Sequence, residues 1–358
     1  MAGIVSVAWT LFDTGPWLAP APPQLARLPA RAEYAVIGAG VTGLSCALAL
    51  AQAGRHVVVL ERAFGQGAAC RSGGIVIGDT LVGPAQGFDG CEFALRDWAL
   101  QHVIAGGVDW SGCVELARDP RLVRSPINWA DEGRLRVSRI VPGGTLDPSA
   151  LIERLAAQAV ACGASFVNDA QVVHLGNEVN TIAVETSTGC VVADRVLVAA
   201  DATAIDHDFD PWPVRFLTVA IEIEQPGDDR LDAIGWRDRR PFYTNDLPLL
   251  WGRVVPGGGV LIGRELIDFA TIGPATIERS VVAARDRLLA RARGLHASFE
   301  SVELKRVWAG PIARSDEGIP GLADDPRVRG ALWAGGYGGH GLAAAFRLGA
   351  LAAHRLLA

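Results

Sequence analysis

Three glycines and an acid near the start of the chain have a spacing that could hold a dinucleotide. Gly38, Gly40 and Gly43 follow the apolar run at 34–37, and Glu61 ends the next apolar run. Gly38 would permit a tight strand-to-helix turn, Gly40 would let a pyrophosphate approach the backbone, and Gly43 would let the helix pack closely on the sheet. The helix N-terminus attracts phosphates, and Glu61 is placed to accept hydrogen bonds from ribose hydroxyls. This unit predicts a dinucleotide site and leaves NAD and FAD as alternatives.

A second glycine-rich turn, far along the chain, favours FAD over NAD. The apolar run at 331–337 predicts a strand that enters the turn 338–341, and a helix follows. An enzyme that binds NAD alone has no need of this turn. A helix N-terminus pointed at N1 and the C2 carbonyl of a reduced flavin would stabilise its negative charge. Another glycine-rich loop, at 65–74, has small residues that suit a backbone lying against a flat ligand, although such loops also occur without one.

The composition excludes several classes of function. The chain has 358 residues, long enough for two domains, and 50% of them are hydrophobic, which implies a sizeable core. The net charge of −6 argues against a nucleic-acid surface, because backbone binding requires clustered positive charge. The six cysteines form no Cys-x-x-Cys pair and no cluster with histidine at metal-ligand spacing. The start of the chain lacks the basic residues of a signal peptide. Together with the spacing of the cysteines, this predicts a cytoplasmic protein with reduced thiols and no metal site.

The order of the predicted elements indicates an α/β protein, α+β overall. Apolar and helical spacing predicts a βαβ unit at 34–62, and Asp147 followed by Pro148 predicts the start of a helix over Ser149–Cys162. Alternating residues in Phe216–Glu224 predict a half-buried antiparallel strand. The other predicted helices are Glu92–Ala105 and Ala275–Leu289. The segments 161–167 and 172–173 each lead to a strand, Thr181–Thr186 and Cys190–Val192 form a hairpin, and 193–202 is a buried strand. Further strands are Arg240–Thr244, Leu249–Val255, Val260–Glu265 and Phe299–Gly310, of which the last returns to the first domain.

These elements predict two interleaved domains. Residues 32–78, 145–205 and 305–358 would form a Rossmann-like FAD-binding domain. Residues 79–144 and 206–304 would form an antiparallel-sheet substrate domain.

Residues 1–31 are expected to form an irregular N-terminal arm, because prolines recur through them. Trp9, Phe12 and Trp17 are the side chains expected to anchor this arm to the body of the protein.

Several motifs together carry a resemblance over nearly the whole chain. They are Val36–Leu48 with Glu61 and Arg62, Gly67–Gly74, Gly144–Pro148, Ala193–Ala200, Trp251–Arg253, Leu261–Arg264, Arg306–Pro311 and Ala334–Leu342. In their order and spacing the chain resembles the FAD-dependent oxidoreductases of the D-amino-acid oxidase, glycine oxidase and sarcosine oxidase type. Within them it is most similar to the branch containing gamma-glutamylputrescine oxidase-like proteins. The resemblance implies bound FAD and oxidation of a C–N bond by hydride transfer to flavin N5, giving an imine that hydrolyses in water.

The resemblance also implies which residues form the site. Those expected to hold FAD lie in the glycine-rich turns and at nearby strand ends: Gly38, Gly40, Val41, Thr42, Gly43, Glu61, Arg62, Ala69, Arg71, Ser72, Gly73, Gly74, Val172, Ala200, Trp308, Gly338, Gly339, His340, Gly341 and Leu342. The candidates for positioning the substrate are Tyr243, Trp251, Arg253, Tyr337 and His340. Arg253 could bind a carboxylate with two hydrogen bonds, or be an exposed strand arginine. Tyr243 and Trp251 could instead be packing residues, and His340 a capping residue at a turn. No acid–base dyad is expected, because the chemistry chiefly requires positioning.

Four positions depart from the family pattern. The segment after Trp308 has no cysteine where sarcosine oxidases attach FAD, and Arg71 stands where some relatives attach it through histidine. We therefore expect noncovalent FAD. Leu261 replaces a lysine that helps oxygen react, and Ala343 replaces a lysine that grips the substrate carboxylate. These departures argue against a small sarcosine-like substrate and leave oxygen or another carrier as the electron acceptor.

Three other functions remain as alternatives. A non-catalytic subunit of a larger complex could hold flavin without reacting. Flavin monooxygenases usually end the FAD site with Gly-Asp, whereas the sequence here is Gly-Gly-Tyr-Gly-Gly-His at 335–340. An NAD dehydrogenase would bind nicotinamide without flavin. The expected partners are a small amine or amino acid and an electron acceptor. Nucleic acid and a membrane span are not expected, and the apolar stretch 341–358 leaves peripheral membrane contact open.

Overall fold

The computed structural model describes most of the chain. It covers residues 15–80, 83–84, 88–117, 136–201, 211, 214–233, 236–245, 249–268, 274–294, 297–316 and 318–358. Trp9 and Phe12, two of the three side chains expected to anchor the N-terminal arm, lie outside the described residues.

Within these ranges the chain forms six α-helices and twenty β-strands. The helices are α1 (Val41–Gln52), α2 (Cys91–Gln101), α3 (Pro148–Ala161), α4 (Asp228–Ala233), α5 (Pro274–Arg293) and α6 (Gly341–Leu357). The strands are β1 (Arg31–Ile37), β2 (Val57–Leu60), β3 (Ile75–Ile77), β4 (Asp79–Thr80), β5 (Gly83–Pro84), β6 (Val108–Asp109), β7 (Cys113–Ala117), β8 (Arg136–Val141), β9 (Gly143–Leu146), β10 (Ser165–Val167), β11 (Val172–Asn177), β12 (Ile182–Thr186), β13 (Gly189–Val198), β14 (Val214–Glu224), β15 (Phe242–Thr244), β16 (Trp251–Val255), β17 (Gly259–Asp268), β18 (Leu304–Arg314), β19 (Gly321–Asp324) and β20 (Ala331–Gly335).

The first sheet is the core of a Rossmann-like unit. Its parallel strands run in the order β10-β2-β1-β13-β20, which confirms the predicted βαβ unit and the strand before the second glycine-rich turn. Helices α1, α3 and α6 pack on one face of the sheet. All four residues of β2 are buried, because both faces of a parallel sheet are covered. Strands β12 and β13 pair antiparallel around Thr188 and Gly189, as the sequence predicts.

The second sheet is almost entirely antiparallel. Its order is β18-β14-β17-β16-β15-β7-β8, and only β15 and β7 are parallel neighbours. In β14, Val219, Ile221 and Ile223 are fully buried in the apolar cluster that also contains α5, which confirms the predicted alternation. Glu222, on the other face, is also buried, so the prediction of a half-buried strand is wrong here: the strand is covered on both faces, and Glu222 pairs with Lys305 at 3.2 Å and Arg306 at 2.8 Å. An α/β protein with an interleaved antiparallel sheet is therefore confirmed.

One strand that the sequence predicts to return to the first domain pairs with the second sheet instead. The strand predicted over Phe299–Gly310 begins at Leu304 and pairs antiparallel with β14 along its length, so it extends the second sheet and does not return to the first. Phe299 instead ends a short 3-10 helix, Ala297–Phe299, and is fully buried. β18 contacts the predicted first domain through Trp308 and Ala309, which are hydrogen-bonded to Arg71, and through its end, where Arg314 forms an isolated bridge with Tyr337. The other domain boundaries remain predictions.

One helix begins where the sequence predicts, and another ends earlier than predicted. Asp147 caps α3, and its Oδ1 accepts hydrogen bonds from the backbone N–H groups of Ser149 at 2.8 Å and Ala150 at 3.2 Å, with Pro148 in the first turn. Helix α2 ends at Gln101, four residues before the predicted end.

The described part of the N-terminal arm packs on the glycine-rich loop at 65–74. The indole N–H of Trp17 donates to the backbone O of Ser72 at 2.8 Å, as expected of an anchoring residue. Pro20 lies so close to Gly65 that a Cβ there would be 2.5 Å from its ring. The arm therefore supports this loop from the outside.

None of the described helices is long and apolar enough to span a membrane. The six cysteines form no disulfide bond, and four of them are buried.

Candidate active site

A cavity of about 330 Å³ lies between the carboxyl ends of the parallel strands and the second sheet. It is lined by every residue predicted to hold FAD except Gly43, and by Tyr243, Trp251, Tyr337 and His340 among the predicted substrate residues. Arg253 does not line it. The structure therefore brings the three glycine-rich turns and one face of the second sheet together around a single space.

The first glycine-rich turn requires its glycines for different reasons. Gly38 has φ of +99°, and a Cβ there would lie 2.8 Å from the backbone O of Ala199. A Cβ on Gly43 would lie 1.9 Å from the backbone O of Gly38, so any side chain would push α1 off the sheet. A Cβ on Gly40 would meet nothing within 4 Å, although Gly40 lines the cavity. The space beside Gly40 is thus open to a ligand at the N-terminus of α1.

Glu61 joins this turn to the end of β2. Its Oε2 accepts a hydrogen bond from the backbone N–H of Ala39 at 2.6 Å, and its Oε1 accepts one from Ala63 at 2.8 Å. Each carboxylate oxygen can accept further hydrogen bonds. Glu61 can therefore hold the turn and still receive the hydroxyls of a ribose. The motif spacing gave no indication of the contact with Ala39.

The second glycine-rich turn places the N-terminus of α6 at the cavity. Gly338 and Gly339 have φ of +59° and +94°, and His340 occupies the N-cap position without a side-chain capping hydrogen bond. Beside it, the phenol of Tyr337 is hydrogen-bonded to the hydroxyl of Thr42 at the start of α1. Burial raises the pKa of Tyr337, so this phenol stays protonated. The two helix N-termini are therefore tied together across the cavity.

Comparison with known proteins identifies the group to which this site belongs. Residues 33–355 match the family model described as FAD dependent oxidoreductase (DAO). The chain belongs to this FAD-dependent oxidoreductase family. It is 24% identical to glycine oxidase of Geobacillus kaustophilus over 87% of this chain and 89% of that protein, and the crystal structure of that enzyme aligns over 92% and 95% of the two chains with a TM-score of 0.73. It is also 26% identical to the probable oxidoreductase OrdL of Haemophilus influenzae, over 91% of this chain and 83% of that one.

A third relative is known from its structure. The crystal structure of L-proline dehydrogenase from P. horikoshii aligns over 90% of this chain and 92% of that one, with a TM-score of 0.72 and 19% identity. The predicted family and the use of FAD are confirmed by these matches. None of them singles out the gamma-glutamylputrescine oxidase-like branch.

The residues around the cavity fit FAD. Open space beside Gly40 at the N-terminus of α1 would receive the pyrophosphate, and Glu61 the ribose of the ADP half. The N-terminus of α6, preceded by Gly338 and Gly339, would face the isoalloxazine ring. Among the described residues no group of three or more histidine, cysteine, aspartate or glutamate side chains could hold a metal ion.

The loop at 65–74 forms one wall of the cavity and is held to the second sheet by aromatic and cationic side chains. Trp308 donates its indole N–H to the backbone O of Arg71 at 2.9 Å, and Arg71 Nη1 donates to the backbone O of Ala309 at 3.0 Å. Burial lowers the pKa of Arg71 to about 10, which still leaves it charged at neutral pH. The ring of Trp251 fits between Gly73 and Gly263, where an added Cβ would lie 2.5 Å and 2.1 Å from it.

Arg253 has a different surrounding from the one predicted. It is buried, and its Nη1 lies within hydrogen-bond distance of the backbone O atoms of Gly73 (3.2 Å), Gly74 (3.0 Å) and Leu146 (3.0 Å). Its guanidinium also lies 5.1 Å from the ring centre of Trp17. Burial lowers its pKa to about 10, so it remains charged at neutral pH. This geometry favours a role in holding the loop and argues against the predicted binding of a substrate carboxylate.

Asp201 is a lining residue that the sequence did not indicate. It follows β13 with φ of +44°, an uncommon conformation for a residue other than glycine. Its Oδ1 accepts a hydrogen bond from the backbone N–H of Gly336 at 3.0 Å, and its Oδ2 accepts one from Ala313 at 3.4 Å. Asp201 thus joins the end of β13 to the second glycine-rich turn and to β18. Only its acidic side chain after a strand could have signalled this.

Replacing Asp201 with alanine is expected to lower the free energy of unfolding by about 2 kcal/mol, because two hydrogen bonds are lost and the positive φ remains. FAD binding should weaken with it, since the turn before α6 loses its support. Asp201→Asn retains an acceptor and tolerates the positive φ, so it should lose less than half as much. Denaturant unfolding of the apoprotein and titration with FAD measure both effects. Equal values for the alanine variant and the parent would refute this role.

The end of the cavity formed by the second sheet is neutral. Its described lining residues from that sheet and the adjoining loop are Thr218, Ala220, Tyr243, Thr244, Leu249, Leu250, Trp251, Leu266, Trp308, Gly310, Pro311 and Ile312. None of these side chains carries a charge. Leu261, at the predicted place of an oxygen-activating lysine, is fully buried in a cluster with Trp308 and does not line the cavity, whereas Ala343 does.

Proposed function

We propose that this protein oxidises a C–N bond of an amine or amino acid, with FAD accepting the hydride at N5 and water hydrolysing the imine product. The observation that carries the proposal is the continuity of the cavity. One end has the turns and the acid that suit FAD, and the other presents the neutral face of the second sheet to a small molecule. The names of its relatives are compatible, since glycine oxidase and L-proline dehydrogenase are among them.

The neutral lining has a chemical consequence for an amine. Leu250, Trp251 and Leu266 offer an ammonium group no compensating charge, and an apolar surrounding lowers the pKa of an amine. A substrate held there would more readily lose its proton to water, and only the neutral amine can release a hydride from the adjacent carbon. The protein thus promotes the reactive form without a dedicated base. Positioning against the ring remains the other contribution of these side chains.

The N-terminus of α6 would stabilise negative charge at the cavity. Its unpaired backbone N–H groups follow Gly339 and His340 and carry a partial positive charge. Negative charge that develops on the flavin ring during the reaction would be stabilised by these groups.

We also propose that FAD is held without a covalent bond. Cys70, the cysteine beside Arg71, is buried and does not line the cavity. Burial raises the pKa of its thiol to about 11, so the reactive thiolate is scarce at neutral pH. Acid precipitation should therefore release all of the FAD from the protein, and yellow colour retained in the precipitate would contradict this.

The test of the function is an anaerobic screen of the FAD-loaded protein. Primary and secondary amines, N-methyl amino acids and D- and L-amino acids are mixed with it, and bleaching of the visible flavin band is followed. At least one of these classes is expected to bleach the flavin and to yield the carbonyl compound and amine expected from imine hydrolysis. Flavin that none of them reduces would favour the non-catalytic subunit instead. Readmitting air then separates an oxidase, which regains colour quickly, from a dehydrogenase that needs another acceptor.

A further inference from the structure

Tyr243 lines the cavity, and its phenol is hydrogen-bonded to a buried carboxylate. Its oxygen is 2.9 Å from Oε2 of Glu115, which is 7% exposed. The same Oε2 accepts hydrogen bonds from Nε and Nη2 of Arg139 at 3.0 Å and 2.9 Å. The side-chain amide of Asn245 reaches Oε1 at 3.5 Å. Tyr243 is thus one of several donors gathered around a single acid on β7.

The direction of the bond between Tyr243 and Glu115 follows from the charge of the acid. Burial by itself raises the pKa of Glu115, but the hydrogen bonds from Arg139 and Tyr243 outweigh it and leave that pKa below its usual value. An ionised carboxylate only accepts hydrogen bonds, so the phenol must be the donor. Burial, and then the bond to Glu115, raise the pKa of Tyr243, which keeps its proton in place. Since a phenol has one proton, Tyr243 has only lone pairs left for a ligand.

We infer that Tyr243 accepts a hydrogen bond from an N–H group of the substrate and disfavours a carboxylate at the same place. The inference rests on the proposed function and adds to it which partner donates the hydrogen bond between the substrate and Tyr243. A carboxylate beside the phenol would face oxygen lone pairs with no proton between them, which costs free energy in a buried site. The positive charge of Arg139 does not offset this cost for a substrate carboxylate, because Arg139 is paired with Glu115.

The neighbouring side chains support this polarity. Leu249, Leu250 and Trp251 line the same end of the cavity as Tyr243 and bring no charge to it. A hydrogen-bond acceptor whose own proton is already used selects ligands that bring a donor. The substrate class is therefore an amine that still carries an N–H when it is neutral, which means a primary or secondary amine.

The test uses the FAD-loaded protein and matched pairs of probes under anaerobic conditions. Butylamine and butanoate, hexylamine and hexanoate, and benzylamine and benzoate are titrated, and the change in the visible flavin spectrum gives each Kd. The parent should bind at least one amine more tightly than its matched carboxylate. Tyr243→Phe should weaken that amine about fivefold, the value of one hydrogen bond, and leave the carboxylate unchanged.

Two further variants isolate the direction of the bond. Tyr34→Phe removes a phenol that donates to Leu356 at 3.5 Å outside the cavity, and it should change neither Kd. Glu115→Leu frees the proton of Tyr243 for a ligand, so it should strengthen carboxylate binding, and this gain should vanish when Tyr243→Phe is added. If the tighter carboxylate binding of Glu115→Leu disappears in the double variant, the phenol itself makes the contact with the carboxylate.

The possible results separate this inference from the proposed function. Carboxylates that bind more tightly than amines and weaken in Tyr243→Phe would overturn the inference, as would an amine Kd that this variant leaves unchanged or a parent that binds no amine. Amine binding that depends on Tyr243, together with flavin that none of the screened amines and amino acids bleaches, would uphold the inference and overturn the proposed oxidation. Bleaching by amines that is equally rapid, with equal half-saturation, in parent and Tyr243→Phe would do the reverse.

Discussion

Replacing Gly40 with alanine is expected to leave the apoprotein folded and to weaken FAD binding about 100-fold. The protein itself has room for the methyl group, since a Cβ at this position meets nothing within 4 Å. Its φ of −78° and ψ of −177° also suit alanine. Unfolding should therefore change by less than about 1 kcal/mol, the difference between glycine and alanine at a helix N-cap. The methyl group instead occupies the space in which a pyrophosphate would approach the backbone N–H groups of α1.

The matched control is Gly43→Ala, one turn along the same helix. Here the added Cβ lies 1.9 Å from the backbone O of Gly38, so the helix must move and the apoprotein itself should lose several kcal/mol of stability. Denaturant unfolding of both apoproteins, followed by titration with FAD and with ADP, distinguishes the two effects. If Gly40→Ala bound FAD like the parent, the pyrophosphate could not lie where we place it. Unfolding of Gly40→Ala as easily as Gly43→Ala would show that the space is only apparent.

Replacing Arg253 with methionine is expected to lower the free energy of unfolding by about 3 kcal/mol, in the apoprotein and without any substrate. The charged guanidinium holds the backbone oxygens of Gly73, Gly74 and Leu146, and methionine fills similar space without donating to any of them. The loss should appear as a lower midpoint of denaturation. Looser FAD binding should accompany it, because the loop at 65–74 is a wall of the proposed FAD site.

The control for Arg253 is Arg154→Met, which removes an exposed arginine from α3 and should change stability by less than about 0.5 kcal/mol. Arg253→Lys keeps the charge but loses the fixed fork of donors, so we expect an intermediate loss. If Arg253→Met were as stable as the parent but lost only the binding of substrates with a carboxylate, the role predicted from the sequence would be right and the structural role wrong.

Local patterns carried most of what the sequence predicted correctly. Gly38, Gly40 and Gly43 sit within one turn, and Asp147 caps the helix that follows it directly, so short stretches specify each of these structures. The strand β18 shows the limit of such patterns. Its apolar run indicates a strand, but whether it pairs with β14 or with the first sheet depends on residues about eighty or more positions away in the chain, as Leu304 opposite Ile223 illustrates.

The same limit explains the site residues that the sequence placed incorrectly or missed. Arg253 carries the charge and shape of a carboxylate ligand, and only the fold reveals that backbone oxygens from residues 73–74 and 146 surround it. Asp201 looks like any acid at the end of a strand until Gly336 is brought beside it. Glu115 gave no signal, because its bond to Tyr243 joins two strands that are far apart in sequence.

The packing of α6 against α1 has a consequence for how the protein is made. Ser45 donates to the backbone O of Phe346 at 2.8 Å, and Gly349 lies so close to α1 that a Cβ would be 2.4 Å from the backbone O of Thr42. The first glycine-rich turn leaves the ribosome roughly 300 residues before the helix that covers it, at synthesis rates of about 5–20 residues per second. During that interval its apolar helix lacks the contacts with α6, and the second glycine-rich turn, which we propose faces the flavin ring, does not yet exist. FAD capture in the proposed site therefore follows synthesis of residues 331–357, and a nascent chain that stops earlier exposes the face of α1 that α6 covers to chaperones and proteases.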